Sequence, residues 1–307
     1  MNVLITGGAG FIGANLVRTL LSAGATKLTV LDDLSTGFEA NLDGLDVDFV
    51  LGNITDAPLV KQLAADVDAI AHLGALGSVA LSMEDPVLTH QANSTGTLNV
   101  LEAARQNNAH VILASSAAVY GASKELPKHE SMPTAPVSPY AATKITTESY
   151  GLGWQEAFGL PVTAFRFFNV YGPFQPAEHA YAPVIPAFLA RAISGDPLTI
   201  HGDGEQTRDF VYVQTVCDTI VDALQRRVTH PAPINLASGT TTSLLEVVAE
   251  IEAALGVSVD RVHGDERIGD LKHSSADVTT LRSLFAIEPT SFTDGLRHTI
   301  DWWHQRA

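Results

Sequence analysis

Three side chains of this sequence could pass a proton among themselves: Ser116, Tyr140 and Lys144. Tyr140 and Lys144 stand four apart in Ser138-Pro-Tyr-Ala-Ala-Thr-Lys144, one helical turn, and so share a helix face. Pro139 suits the first turn of that helix. A phenol ionises near ~10, too high for a base at neutral pH. A neighbouring ammonium stabilises the anion and lowers that value. The serine lies in Ser115-Ser-Ala-Ala-Val-Tyr-Gly121, after an apolar run at 111–114 that reads as a buried strand. A hydroxyl at the end of such a strand faces the crevice where open parallel sheets bind ligands. The pattern predicts a tyrosine base on a helix, with a serine hydroxyl across the cleft sharing the proton.

Such a pair needs a sheet to carry it, and the start of the chain supplies one. An apolar strand at 2–6 runs into Gly7-Gly-Ala-Gly-Phe-Ile-Gly13, then a helical pattern over 14–23. Strand, glycine turn and helix together point to a dinucleotide-binding unit. Gly7 permits the tight turn, Gly10 lets the backbone approach a pyrophosphate, and Gly13 lets helix pack on strand. Amides at the helix start face the phosphates. The second strand, 27–31, ends in Asp32-Asp33. An acid there accepts from the adenosine ribose 2′-hydroxyl and repels a 2′-phosphate, which favours NAD over NADP.

Further strands are read at 48–51, with Gly52-Asn-Ile54 at its end, at 68–73 and at 162–168. A loop with Gly74, Gly77 and Ser78 leaves the fourth strand near the cofactor, and a helix containing Asn93 is expected over 86–107. His72 reads as a hydrogen-bonded structural histidine. The alternation of strand and helix indicates an α/β fold, a doubly wound parallel (Rossmann) sheet. Prolines and the turn Gly202-Asp-Gly204 then change the texture. The expected division is a dinucleotide-binding domain over 1–172 with a return segment at 211–235, and a smaller mixed α/β substrate-binding region over 173–210 and 236–307. Helical patterns occupy 244–255, 277–285 and 293–304. Arg208 and Arg267 are candidates for anion contacts, since guanidinium forks suit phosphates.

Composition narrows the partners. The 307 residues are 46% hydrophobic and 17% charged, so a core is available. A net charge of -16 argues against general nucleic-acid binding, which needs basic surface. No apolar run is long enough to span a bilayer. The absence of a signal-peptide pattern and the single Cys217 fit a reducing cytoplasm.

These residues together resemble the extended short-chain dehydrogenase/reductase family, and within it the NAD-dependent UDP-sugar 4-epimerases. The marks run along nearly the whole chain. They are Thr6 to Gly13, Asp32-Asp-Leu-Ser35, Asn93-Ser-Thr-Gly96, Ser115-Ser116 with Val119-Tyr-Gly121, and Tyr140 with Lys144. Arg166-Phe-Phe-Asn-Val-Tyr-Gly-Pro173, the segment from Gly202 to Phe210, and Arg267-Ile-Gly-Asp270 complete them. Gly77-Ser-Val79 with Ala180-Tyr-Ala-Pro-Val-Ile185 looks most like the branch acting on UDP-N-acetylhexosamines.

The resemblance implies roles. Ser116 and Tyr140 would handle the proton, and Lys144 would hold the nicotinamide ribose. Gly7, Gly10, Phe11, Ile12, Gly13, Asp32, Asp33, Asn53 and Ile54 would contact NAD, as would Leu73, Gly74, Ala75 and Asn93, with Phe168 bordering the nicotinamide. Asn53 stands where relatives have Asp, and its carbonyl would accept from the adenine amine. Thr215 stands where related chains often carry an acid. Ser78, Val184, Ile200 and His201 would meet the UDP-sugar, with Asn169, Arg208 and Arg267 on its diphosphate and Asp270 on its ribose. Ser274 would leave room for an N-acetyl group at the hexose. NAD is the implied cofactor, with no metal, and a homodimer is the implied assembly. The implied reaction is 4-epimerisation through a 4-keto sugar. Rivals are a 4,6-dehydratase, a decarboxylase or epimerase of a UDP-uronate, and a silent NAD-binding regulator. Ala117 and Ala118 stand where dehydratases carry an acid pair, which counts against the first.

Overall fold

The computed structural model describes residues 1–177, 183–266 and 271–305. Arg267 and Asp270 lie outside them, as do residues 180–182 of the 180–185 motif. Seven strands form the central sheet. They are β1 (Asn2–Thr6), β2 (Lys27–Asp32), β3 (Asp48–Leu51), β4 (Ala69–His72), β5 (His110–Ser116), β6 (Val162–Phe167) and the strand Ile234–Leu236. Their spatial order is Ile234–Leu236, β6, β5, β4, β1, β2, β3, with every pairing parallel. This is the doubly wound α/β sheet expected from the alternating pattern. The order reverses between β1 and β4, so the crevice at their C-terminal ends is the ligand position of such folds.

The sheet is covered on both faces, and its strands divide their side chains between two cores. Val3 and Ile5 of β1 enter one, with Leu16, Val17 and Leu20 of the helix α1 (Phe11–Ser22). Leu4 enters the other, with Val100 and Leu101 of the helix Gly96–Arg105 and Val111 and Leu113 of β5. Burial on both faces explains why these strands read as apolar runs rather than strict alternation. Each such Leu or Ile, fully buried, stabilises the fold by roughly 1.5–3 kcal/mol.

The helix expected over 86–107 is interrupted. It runs as Pro86–His90, a wide π turn at Gln91–Thr95, then Gly96–Arg105. The turn is held by Thr97 Oγ1 donating to the Asn93 carbonyl at 2.5 Å. Gly96 lets it lie against Ile54, since a Cβ there would come within 2.6 Å of Ile54 Cδ1. The strand expected to run through Phe168 leaves the sheet at Phe167; Asn169–Tyr171 pairs instead with Phe210–Tyr212. The helix Val213–Arg226 packs on α1, with Gln214 Nε2 donating to Thr19 Oγ1 at 3.1 Å. Two further pairs, Leu198–His201 with Arg261–Gly264 and Thr207–Arg208 with Thr242–Ser243, build the smaller region. Its helix Leu244–Leu255 matches the sequence pattern. The helix expected from residue 277 starts at Thr279, because Asp277 Oδ1 accepts the Thr279 amide at 2.8 Å. No helix among the described residues is long and apolar enough to cross a membrane.

Candidate active site

The glycine loop sits at the point where strand order reverses. Gly7 has φ +73, and a Cβ on it would lie 2.7 Å from the Gly74 amide nitrogen, so the loops after β1 and β4 touch there. A Cβ on Gly13 would lie 2.1 Å from the Gly7 carbonyl oxygen, so α1 starts directly against the turn. Gly10 caps α1 without a side-chain hydrogen bond, leaving its N-terminus clear of a competing carboxylate or hydroxyl. That is the cradle a pyrophosphate needs. Asp32 braces it: Oδ2 accepts from Ala9 N and Oδ1 from Leu34 N, both at 2.9 Å. Burial pushes the Asp32 carboxyl up, while the bonds from Leu34 and Ala9 oppose that shift. Each oxygen keeps a lone pair for a ribose hydroxyl. Beside it, Asn53 Nδ2 donates to Asp33 Oδ2 at 2.7 Å. Asn53 Oδ1 accepts both the amide and the hydroxyl of Thr55, so the carbonyl expected to meet an adenine amine is already occupied.

The residues expected to handle the proton meet at the far end of the same crevice. Ser138 caps the helix Pro139–Phe158, accepting the Ala141 amide, and Pro139 fills its first turn. Tyr140 is presented to the cavity and Lys144 lies beneath, its Nζ 5.8 Å from the phenol ring centroid. Lys144 Nζ donates to the Ala114 carbonyl at 2.8 Å. Burial draws the lysine pKa down to about 8. Ser116 ends β5, and its Oγ accepts the Ala118 amide at 3.1 Å. The phenol does not have the lowered pKa expected from the spacing. Burial pushes Tyr140 up, and the Ser116 hydroxyl is what opposes the rise.

A buried polar lattice supports these groups from behind. His72 is 4% exposed; its Nδ1 pairs with Thr6 Oγ1 at 2.7 Å and its Nε2 with Thr97 Oγ1 at 3.1 Å. Burial, and then the Lys144 charge, hold its pKa at about 3, so it is neutral and structural. Asn93 exchanges two hydrogen bonds with the Leu76 backbone and donates to Thr143 Oγ1 at 3.0 Å. Thr143 Oγ1 in turn donates to the Tyr140 carbonyl at 2.8 Å.

One cavity of about 1190 Å³ connects the two ends. Of the expected cofactor contacts, Gly7, Gly10, Phe11, Ile12, Gly13, Asp32, Asp33, Asn53 and Ile54 lie on its wall. Leu73, Gly74, Ala75, Tyr140, Lys144 and Phe168 do as well. Asn93 does not: it is 1% exposed, and its amide is used up fixing the loop at Leu76. Of the expected substrate contacts, Ser78, Ser116, Asn169, Val184, His201 and Arg208 are on the wall. Ile200 is not, because the strand Leu198–His201 alternates: Leu198 and Ile200 enter the core, while Thr199 and His201 face the cavity. Ser274 is half-buried and off the described wall, its amide donating to the Thr207 carbonyl at 3.0 Å. Thr36, Leu81, Gln175, Thr199 and Gln206 also line the cavity. The strand period marks Thr199, but nothing local in the sequence marks the others.

A model of the NAD dependent epimerase/dehydratase family matches residues 3–237. A UDP-N-acetylglucosamine 4-epimerase from Methanobrevibacter ruminantium, in complex with UDP-N-acetylmuramic acid, is 35% identical. Its TM-score is 0.94 over 100% of this chain and 99% of that one. A Thermus thermophilus UDP-glucose 4-epimerase in complex with NAD is 34% identical, with a TM-score of 0.90 and 100% of both chains covered. A UDP-N-acetyl-alpha-D-glucosaminuronate decarboxylase from Bacillus cytotoxicus is 33% identical over 98% of this chain and 97% of its own.

Proposed function

The chain belongs to the NAD dependent epimerase/dehydratase family, and we propose that it interconverts UDP-hexoses at carbon 4, UDP-glucose with UDP-galactose and UDP-N-acetylglucosamine with UDP-N-acetylgalactosamine. The observation that carries the choice of reaction is the composition of the cavity around the phenol. Ser116, Tyr140 and Lys144 stand together there, and Asp32 and Asp33 are the carboxylates among the described wall residues. Asp32 closes β2 and Asp33 follows it, on the glycine-loop side. Removing a carbon-5 proton and expelling the 6-hydroxyl needs an acid and a base beside the sugar. Ala117 and Ala118, which follow Ser116, provide neither.

Tyr140 takes the proton of the 4-hydroxyl as the sugar is oxidised and gives it back as the sugar is reduced. Ser116 holds that proton's path to the phenol. Lys144 is the charged group of this chain that favours the phenolate, and it would also hold the nicotinamide ribose. NAD fits the cradle of Gly7, Gly10 and Gly13 with Asp32 at its ribose, and supplies the hydride acceptor and donor for carbon 4. Arg208 and Asn169 hold the diphosphate while the 4-keto sugar turns over and presents its other face. The same reading includes a homodimer. Met83 and Val87, 64% and 65% exposed on two short helices packed against the tyrosine helix, give it an apolar surface.

Incubation with UDP-glucose, UDP-N-acetylglucosamine and UDP-glucuronate, followed by NMR, tests the proposal. Axial 4-hydroxyl products are expected from the first two. A 4-keto-6-deoxy sugar, or carbon dioxide release from the uronate as the main reaction, would replace it with dehydration or decarboxylation.

A further inference from the structure

The tyrosine helix grips the serine strand through residues 140, 144 and 148, a single stripe four residues apart, and the last of these takes no part in the proposed chemistry. The Tyr140 phenol faces the Ser116 hydroxyl, and Lys144 Nζ donates to the Ala114 carbonyl. Between them in the strand, Ser115 Oγ donates to Glu148 Oε1 at 2.5 Å. Glu148 is 4% exposed and Arg166 is 3% exposed. Arg166 donates Nε to Oε1 and Nη2 to Oε2 of Glu148, both at 2.8 Å, a two-pronged fork. Arg166 lies on β6 directly opposite Ser115 in register. Its own position is fixed by the Glu130 carbonyl at 3.3 Å and by the Tyr120 ring, whose centroid is 4.8 Å from Cζ.

A buried ion pair is a poor device for stability, since well-packed apolar replacements are often as stable or more so. A fork is a good device for geometry, because it fixes distance and orientation together. Helix and strand have no slack to absorb a shift: a Cβ on Gly151, one turn further on, would come within 2.3 Å of Leu113 Cδ1. We propose that Glu148, locked by Arg166, is a positioning residue that sets the register of the tyrosine helix along β5 and hence the alignment of Tyr140 with Ser116. It rests on the reading of Tyr140 as the base. Misplacement of reacting groups by about 1 Å can cost on the order of 10²-fold in rate.

The test is the double variant Glu148→Gln/Arg166→Met in the full NAD-loaded protein, which removes both charges and leaves neither unpaired. Melting temperature, kcat and KM for UDP-glucose are measured. So is the ultraviolet titration of the Tyr140 phenol, isolated by difference against Tyr140→Phe in the same background. Expected are a melting temperature within a few degrees of the parent, an unchanged KM, and a kcat lowered roughly tenfold or more. The phenol should titrate at higher pH, because the Ser116 hydroxyl no longer holds it. A kcat within about twofold of the parent, with an unmoved phenol, overturns the proposal. Should the double variant not fold, Ser115→Ala cuts the link alone: a kcat lowered about threefold supports the proposal, and an unchanged one overturns it. If the parent itself does not turn over UDP-glucose, the proposed function fails separately. The phenol titration then decides: an upward shift supports the positioning role, and an unmoved phenol rejects it.

Discussion

Lys144 Nζ donates to the Ala114 carbonyl at 2.8 Å, which ties the ammonium beside Tyr140 to the backbone two residues before Ser116. The bond explains why the spacing of Tyr140 and Lys144 is a good guide to position and a poor guide to acidity. The ammonium is held against the strand, burial dominates the phenol, and the pKa of Tyr140 rises. In the proposed reaction, favouring the phenolate would fall to the Lys144 charge and to the groups bound in the cavity.

Tyr140→Phe keeps the ring and removes the proton acceptor. Turnover should fall by roughly 10²-fold or more, the scale of general-base loss, while NAD stays bound. Steady-state rates beside the absorbance of the released cofactor measure both. Retention of half the parental turnover would show that another group is the base.

The preference for NAD follows from Asp32. Its carboxylate is fixed by Ala9 and Leu34 at the end of β2 and cannot swing aside for a 2′-phosphate. Cofactor released by denaturing the purified protein should be NAD, read by chromatography. Asp32→Ala removes the brace as well as the charge, so it should weaken NAD binding and lower the melting temperature together. Recovery of mainly NADP from the parent would contradict this account of β2.

Acid should destabilise the fold through two buried histidines. Burial holds His72 at about 3 and His110 at about 4, against an ordinary value near 6.5. Below that ordinary value the unfolded chain binds protons that the folded chain refuses. The stability contribution is therefore complete above about 6.5 and is lost as pH falls from there toward 4 and then 3. Each histidine costs up to about 1.4 kcal/mol per pH unit in that window. Urea midpoints at a series of pH values measure the slope. His110→Gln should flatten it, and an unchanged slope would assign the effect elsewhere.

How much of this was legible depends on how far apart the determining residues stand. Gly7, Gly10 and Gly13 are decided by one strand, one turn and one helix, and Asp32 by the end of the next strand; their spacing alone located the crevice. The pairing of Tyr140 with Ser116 needed only the helix period and the end of an apolar run. Asn93 lies behind the wall because its amide is engaged by Leu76 and Thr143, contacts made across 17 and 50 residues of chain. Ile200 was named without its strand: Leu198–His201 was not read as one, and only the packed core decides that Thr199 points into the cavity. Asn53 carries no sign in the sequence that Thr55 takes its carbonyl.

Under the proposed function, Ser274 is expected to set substrate scope. It lies beside His273, which bridges to Thr207, and two residues before Ala276, which is buried and bridges to Lys128. The Ser274 amide is held by the Thr207 carbonyl, next to Arg208 on the cavity wall. Under the proposed function a serine at this position would leave space at the hexose, and a tyrosine would fill it. Ser274→Tyr should lower kcat/KM for the N-acetylated pair about tenfold or more, within the range a crowded pocket commands. Turnover of UDP-glucose and UDP-galactose should change little, because the smaller sugar does not need the space. Rates on both pairs, measured side by side for parent and variant, decide the matter. Equal loss on both would make Ser274 a packing residue of the smaller region, and its role in choosing the sugar would be withdrawn.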